Sequence, residues 1–297
     1  MPGQPWKVSL HGGHSGEFCE HAKDLLEQVI EAAATAGYHT FGVSEHAPRS
    51  QERFLYANER EKGYDIERLS REFEAYAPTV RKLAREFEGR LTVLCGFEAE
   101  VIPTSGYREE MLGHRRRFGF DYMVGSVHYV DEITIDGPRP DFERALAARG
   151  GLEPLAIAYY EAVAEMVDAL RPEVVGHFDL IRLNAGAEAP LDTPPIRRAA
   201  ARALEAVRAC DAILDVNTAG YRKGLGMPYP APWLVEAARA MDIGFCFGDD
   251  SHGIAQVGQG IEEARQYLLE NQVSHITFLT REDGEIARRR VALADGV

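Results

Sequence analysis

Seven short apolar runs alternate with longer amphipathic stretches along this chain, and that alternation restricts the possible folds more than any other feature. The runs are rich in Val, Ile, Leu and Phe and are flanked by chain-breaking residues. They predict buried strands at 7–10, 40–44, 91–97, 121–127, 173–176, 212–216 and 244–248. The other stretches repeat apolar residues at helical spacing and predict helices at 23–36, 66–87, 107–118, 154–170, 195–210, 232–241 and 260–270. One more short strand is predicted at 275–279.

A strand followed by a helix, repeated along a whole chain, predicts a parallel sheet with right-handed crossovers. If the sheet closes, the fold is a TIM-like α/β barrel, and if it stays open, the fold is a doubly wound sheet. The 297 residues, 45% of them hydrophobic, are enough for one large core. Because α/β barrels of this size commonly fold as a unit, we expect residues 1–297 to form a single domain.

Charge and composition exclude several classes of partner and location. The formal net charge of -14 disfavours nucleic-acid binding, which needs a basic surface to neutralise phosphates. Residues 1–10 contain no apolar signal-peptide core, and no apolar run approaches the roughly 20 residues of a membrane span. The four cysteines form no Cys-x-x-Cys pair and are typical of buried, reduced thiols. These features predict a cytoplasmic protein. Nothing in the sequence indicates its oligomeric state.

Residue types that bind metals follow all seven predicted strands. In strand order they are His11, His14 and His21; Glu45 and His46; Glu98; His128; His177 and Asp179; Asn217; and Asp249, Asp250 and His252. Barrels carry their chemistry at the C-terminal ends of their strands, so these side chains are expected to meet. Imidazole and carboxylate ligands suit Zn, Fe and Mn, and one carboxylate can bridge two ions.

The three remaining histidines serve as an internal comparison. His39 and His275 precede their predicted strands and therefore belong at the opposite end of the barrel. His114 lies among Arg115, Arg116 and Arg117 and is predicted to be on a solvated helix face. We assign no metal-binding role to these three.

Four segments in this order resemble the PHP phosphoesterases, and within them the histidinol-phosphate phosphatases. They are His-Ser-Gly-Glu-Phe-Cys-Glu-His at 14–21, Gly-Ser-Val-His at 125–128, Asp-Val-Asn-Thr-Ala-Gly at 215–220 and Asp-x-His at 250–252. The resemblance spans His11 to His252. It implies a distorted seven-stranded TIM-like barrel with a trinuclear metal centre, and hydrolysis of a phosphate monoester, most specifically L-histidinol phosphate in histidine biosynthesis.

The resemblance also implies a set of ligands for two or three divalent transition-metal ions (Zn, Fe or Mn). The first ion would be held by the histidines after the first strand, with Glu98 and Asp250. The second would share Glu98 and add His128 and His177, and the third would bind His21, His46 and His252. Glu98, Asp250 and His252 are also assigned to catalysis. Asp249 occupies a position where a small residue is common in the family, and we do not predict it to be a ligand.

The first segment departs from the family pattern, which usually begins His-x-His. Here the spacing is His11-Gly12-Gly13-His14. Residues three apart on a regular strand point to opposite faces, so the two imidazoles could not reach one ion. Either the two glycines form a bulge that brings both rings to the same side, or His11 is a structural residue and the first site lacks one ligand. We favour the bulge, because paired glycines inside a strand are costly without such a purpose.

Cationic side chains should complete a phosphate site. Arg222 follows the sixth strand and is the first candidate, because a guanidinium can hold two phosphate oxygens. Arg182, Arg49 and Lys223 are further candidates. Asp179 either orients a ligand histidine or is an ordinary loop acid.

Three alternatives remain open from the sequence. The chain could be another PHP phosphoesterase acting on a nucleotide or other small phosphate ester, although a basic or base-stacking surface is not evident. It could be an amidohydrolase on a similar barrel, although no lysine stands at a strand end to bridge metals. It could also be a non-catalytic metal-binding protein, although the nearly complete ligand set disfavours a decayed site.

Overall fold

The computed structural model describes residues 4–186 and 188–294. The strands are β1 (Val8–Ser9), β2 (Thr40–His46), β3 (Thr92–Ala99), β4 (Tyr122–Gly125), β5 (Tyr129–Val130), β6 (Ile133–Thr134), β7 (Val174–Val175), β8 (Ile213–Asn217), β9 (Phe245–Gly248), β10 (His275–Glu282) and β11 (Glu285–Ala292). The helices are α1 (Leu26–Thr35), α2 (Ala57–Glu61), α3 (Ile66–Glu86), α4 (Tyr107–Phe118), α5 (Arg139–Arg149), α6 (Leu152–Leu170), α7 (Arg182–Ala185), α8 (Pro194–Ala209), α9 (Ala219–Arg222), α10 (Pro232–Ala240) and α11 (Ile261–Glu270).

Seven strands form one parallel sheet in the order β1-β2-β3-β4-β7-β8-β9. The sheet curls until its first and last strands meet, where the Leu10 amide donates to the Phe247 carbonyl at 2.9 Å. The strands read as continuous apolar runs because their two faces are buried, one against the barrel interior and one against the helices. The predicted TIM-like (βα)7 barrel is confirmed.

Helix α3 shows how the outer helices fix the strand ends. Its buried residues recur at helical spacing, and Tyr76 is among them. The Tyr76 hydroxyl donates to the Gly96 carbonyl of β3 at 3.0 Å and accepts from the Glu45 amide of β2 at 3.2 Å. One helix residue therefore ties together the two strands that carry Glu45 and Glu98.

Several elements extend beyond the predicted pattern. The strand predicted at 275–279 is β10, but it pairs with β11 in a separate antiparallel hairpin and not with the barrel. Between β4 and β7 the chain forms the β5–β6 hairpin and helix α5, neither of which we predicted. Among the helices within the described ranges, none is long and apolar enough to cross a membrane.

The prediction for His114 is wrong. Its imidazole does not lie on a solvated face but packs against Phe73, with ring centroids 5.1 Å apart, and only 18% of its side chain is exposed. Burial lowers the pKa of His114 to about 4. The three arginines after it in the sequence misled the prediction: Arg115 and Arg117 pair with Glu173 and Glu74, while the His114 ring lies against Phe73.

Candidate metal centre

The predicted ligands gather at the C-terminal end of the barrel. His46 ends β2, Glu98 is the last residue but one of β3, and His128, His177 and Asp250 follow β4, β7 and β9. This clustering follows from the parallel topology, because all seven strands end at the same rim. His39, in contrast, precedes β2 at the other end of the barrel, as predicted.

The His11–His14 segment forms a tight turn and not a straight strand. Gly12 and Gly13 have φ values of 136° and 72°, which side-chain-bearing residues rarely adopt. A Cβ at Gly12 would also lie 2.5 Å from Asp249 Oδ1. The turn brings ring nitrogens of His11 and His14 and an oxygen of Glu98 within 4.8 Å of one another. The predicted convergence of the two rings is thus present, while ligation by His11 stays a prediction.

Two further glycines make room for the His11 side chain. A Cβ at Gly176 would lie 2.9 Å from His11 Cε1, and a Cβ at Gly248 would lie 2.7 Å from His11 Cβ. Both distances are shorter than non-bonded carbon atoms tolerate. The His11 side chain therefore fits only because the ends of β7 and β9 carry no side chain beside it.

Glu98 occupies the middle of four histidines. Its Oε1 atom lies 3.2 Å from His11 Nε2, 3.5 Å from His128 Nε2 and 3.3 Å from His177 Nε2. Its Oε2 atom lies 2.8 Å from His46 Nδ1. A carboxylate with one oxygen facing each of two groups of ligands has the geometry required of a bridge between ions.

Glu98, His128 and His177 form the first compact triangle. The two histidine Nε2 atoms are 3.2 Å apart, and their distances to Glu98 Oε1 are similar. Ligands about 2.0–2.1 Å from a tetrahedral ion lie about 3.3–3.4 Å from each other, so this triangle matches one ion. These are the residues that we predicted to hold the second ion.

His21, His46 and His252 form a second group, as predicted for the third ion. The His14 ring stacks between His46 and His252, with centroids 4.3 and 4.2 Å apart. Cys19 joins this group: its Sγ atom lies 3.3 Å from His21 Nδ1, and the four ligand atoms fall within 4.8 Å of one another. We had interpreted Cys19 only as a buried thiol, although the Cys-x-His spacing at 19–21 could have indicated a shared site.

Three carboxylates with little or no exposure orient three of the histidines, and sequence reasoning missed this role for all of them. Asp215 lies 2.7 Å from His11 Nδ1, Glu45 lies 3.0 Å from His14 Nδ1, and Glu100 lies 2.6 Å from His128 Nδ1. Each carboxylate can accept the Nδ1 proton and so turns Nε2 toward the centre, where Nε2 can bind an ion once it carries no proton. Asp179, which we had considered for this task, instead accepts from Arg182 Nη1 at 3.1 Å and from the Ala231 amide at 2.9 Å.

The centre brings together buried polar atoms that have no hydrogen-bond partner. Among the described residues, His11 Nε2, His14 Nε2 and both carboxylate oxygens of Glu98 are buried without a hydrogen-bond partner. His11 Nε2 and Glu98 Oε1 lie 3.2 Å apart, and two such atoms approach each other only with a proton or a metal ion between them. The donor set of imidazole and carboxylate therefore fits divalent transition-metal ions.

The pKa values of the histidines differ according to their neighbours. Burial, with help from His14, lowers the pKa of His252 to about 3, and burial with His252 and His14 lowers the pKa of His21 to about 3. Burial also opposes the charged form of His128, but the carboxylates of Glu100, Glu98 and Asp136 outweigh it and raise its pKa to about 10. In the metal-free protein His128 is therefore protonated at neutral pH, and its positive charge lies where a metal ion is expected to bind.

Loading the metal-free protein with zinc at pH 8 is expected to release protons. His128, with a pKa of about 10, is protonated at pH 8 and must lose its proton before Nε2 can bind an ion. Lower pH should therefore weaken binding. Calorimetric titration in two buffers of different ionisation enthalpy counts the protons released per ion. His128→Ala should release about one fewer, whereas His252→Ala should not lower the count, because His252 is already neutral. Equal heats in both buffers for the unmodified protein would contradict this expectation.

A cavity of about 840 Å³ opens beside the centre, and Arg222 and Lys223 line it. Arg222 Nη2 donates to the Asp250 carbonyl at 2.8 Å, while its buried Nη1 has no partner among the described residues. Arg49 lines a smaller space with His46, Glu98 and His128 and pairs with the buried Glu59. Arg182 is buried in its pair with Asp179, and within the described ranges it is not part of the wall of the large cavity. Arg222 therefore has the geometry best suited to an anion.

Comparison with known proteins agrees with this geometry. Residues 11–219 match the PHP domain family. The "Probable histidinol-phosphatase" of Schizosaccharomyces pombe is 33% identical over 265 residues, 88% of this chain and 85% of that protein. The histidinol-phosphatase of Saccharomyces cerevisiae is 27% identical, over 91% of this chain and 90% of that protein.

The fold is also found in a solved structure. The crystal structure of histidinol phosphate phosphatase from Lactococcus lactis, complexed with zinc, L-histidinol and phosphate, aligns with a TM-score of 0.69. The alignment covers 95% of this chain and 99% of that one at 17% identity. The family match covers most of the barrel and begins at His11, the first residue of the centre. The chain belongs to the PHP domain family.

Proposed function

We propose that this protein is a metal-dependent phosphatase that hydrolyses L-histidinol phosphate to L-histidinol and phosphate, a step of histidine biosynthesis. The observation that carries the proposal is the group of imidazoles around Glu98, where His11 Nε2 and both Glu98 carboxylate oxygens are buried without a hydrogen-bond partner among the described residues. The four unpaired cysteines in the described part of the chain support a cytoplasmic location.

The chain supplies the ligands, the phosphate site and the shape of the cavity. Bound divalent ions would neutralise the phosphoryl oxygens and activate a water for attack on phosphorus. Burial opposes the charge of Asp250, but His11, His252 and Lys223 outweigh it and hold its pKa well below its usual range. Asp250 therefore stays a carboxylate at neutral pH and can hold an ion. Arg222, with an unpartnered Nη1, is suited to bind a phosphoryl oxygen.

The names of the two fungal relatives support histidinol phosphate as the substrate, because both align over at least 85% of their length. The cavity volume of about 840 Å³ is within the range of small-molecule sites. The net charge of -14 disfavours a polynucleotide as the substrate.

A screen of phosphate monoesters with the purified, metal-replete protein tests the proposal. We expect kcat/KM for histidinol phosphate to exceed that for p-nitrophenyl phosphate, glycerol phosphate and nucleoside monophosphates. Elemental analysis should find two or three transition-metal ions per chain. A nucleotide that is cleaved orders of magnitude better than histidinol phosphate would refute the substrate assignment, and absence of stoichiometric metal would refute the mechanism.

Removing the Arg222 guanidinium should weaken the phosphate site. We expect Arg222→Ala to lower kcat/KM by about 10- to 100-fold, the scale of a lost charge-assisted hydrogen bond. Arg144→Ala is a matched control, because Arg144 lines the same cavity but already pairs with Asp141 at 2.5 Å. If both variants behave alike, Arg222 has no special role in binding phosphate.

A further inference from the structure

The cavity has an outer wall built from the β5–β6 hairpin and the start of α5. Three carboxylates of this wall line the cavity: Glu132, Asp136 and Asp141. Glu132 pairs with Arg53 at 2.6 Å, and Asp141 pairs with Arg144 at 2.5 Å. Asp136 forms no ion pair with any residue that the structure describes, and its Oδ1 accepts only from Thr134 Oγ1, at 3.0 Å. The wall therefore presents one carboxylate without a counter-ion.

The backbone on both sides of Asp136 is held in place. Asn184 Nδ2 donates to the Ile135 carbonyl at 2.8 Å and to the Gly137 carbonyl at 3.0 Å. The Ile135 amide donates to the carbonyl of His128 at 2.9 Å. Asp136 therefore follows directly after a residue, Ile135, whose backbone is hydrogen-bonded to the predicted metal ligand His128.

Asp136 shares one cavity with the metal centre. The predicted ligands His46, Glu98 and His128 line this cavity together with Asp136, and so does Arg222, the candidate for phosphate binding. A cation bound at Asp136 would therefore face the same cavity in which the phosphoryl group is expected.

Histidinol phosphate carries its ammonium group on the carbon next to the phosphorylated one. When the phosphoryl group is at the metal centre, that ammonium must lie close by, whereas the imidazole extends farther out. An unpaired, partly buried carboxylate is stabilised by a cation of this kind through a charge-assisted hydrogen bond. The other two carboxylates of the wall already have arginine partners.

We propose that Asp136 binds the ammonium group of the substrate and makes the enzyme select phosphate esters of amino alcohols. This inference rests on the proposed function and assigns a residue to its specificity. The ammonium takes no part in the reaction at phosphorus, so its contact should contribute equally to the ground state and the transition state. Its loss should raise KM and leave kcat largely unchanged.

The test measures Asp136→Asn on two substrates that differ only in the amine: histidinol phosphate and 3-(imidazol-4-yl)propyl phosphate. For histidinol phosphate we expect kcat/KM to fall by about 10- to 100-fold, mostly through KM. For the amine-free ester, the variant and the unmodified protein should agree within about twofold. Asp141→Asn is the control, since it removes a charge from the same wall at an already paired position. Metal content by elemental analysis should be unchanged in both variants.

Each result is decisive. If Asp136→Asn lowers kcat/KM equally for both esters, Asp136 acts through His128 and the metal centre, and the inference is overturned. If the unmodified protein prefers histidinol phosphate over the amine-free ester and the variant keeps that preference, only this inference fails. If the unmodified protein shows no preference at all, the proposed substrate fails with it.

Discussion

Glu98→Ala is expected to lose at least one bound ion per chain and to lower kcat by about 10³-fold or more. The reason is the position of the carboxylate, with Oε1 near three imidazoles and Oε2 near a fourth. Removing it leaves two groups of ligands without the charge that links them, and stabilisation of the charge that develops at phosphorus is lost. Elemental analysis and steady-state kinetics on the same preparation measure both effects.

Glu132→Ala is the matched control for this experiment. Glu132 also lines the cavity, but it pairs with Arg53 away from the imidazoles. We expect its metal content and turnover to stay close to those of the unmodified protein. Full activity and full metal content in Glu98→Ala would show that the centre does not depend on a bridging carboxylate.

The second large effect is expected from His11→Ala. The Gly12–Gly13 turn and Asp215 direct His11 Nε2 toward Glu98, so the ring should be a ligand of the first ion. We expect about one ion fewer per chain and a kcat lower by about 100-fold or more, because removal of a direct ligand should exceed the 10–100-fold cost of losing an orienting group.

His39→Ala is the comparison for His11→Ala, because His39 lies at the opposite end of the barrel and should affect neither metal nor kcat. Circular dichroism should show that both variants keep their fold. If His11→Ala retains its full metal complement and turnover, His14 is the only ligand that follows the first strand, and His11 has a structural role.

The ligand positions could be predicted from sequence because they depend on one topological rule. Parallel strands end at the same rim, so a histidine or carboxylate that follows each strand must lie near the others. The paired glycines at 12 and 13 even indicated the turn that brings His11 and His14 together. Both inferences use information local to each strand.

The missed features depend on contacts between distant segments. Asp215 contacts His11, which is 204 residues away in the sequence. Asp179, the residue that we considered for orienting a histidine, instead forms an ion pair with Arg182. The outer wall with Asp136 was missed because β5 and β6 have two residues each, too few for a periodic signal. His114 shows an error of the opposite kind. The neighbouring arginines in the sequence predicted that its side chain is exposed to solvent, whereas in the structure it packs against Phe73.

The glycines at positions 176 and 248 have a consequence for recognising proteins of this type. One added methyl group at either position would overlap the space that the His11 side chain occupies. A His-x-x-His start can therefore be functionally equivalent to His-x-His only in a chain that also has glycine at the ends of its fifth and seventh barrel strands. These three features, far apart in sequence, form a joint signature. This signature sorts sequences that begin His-x-x-His into two groups without a structure. In one group there is room for the first histidine at the metal centre, and in the other a side chain at the fifth or seventh strand end would displace it.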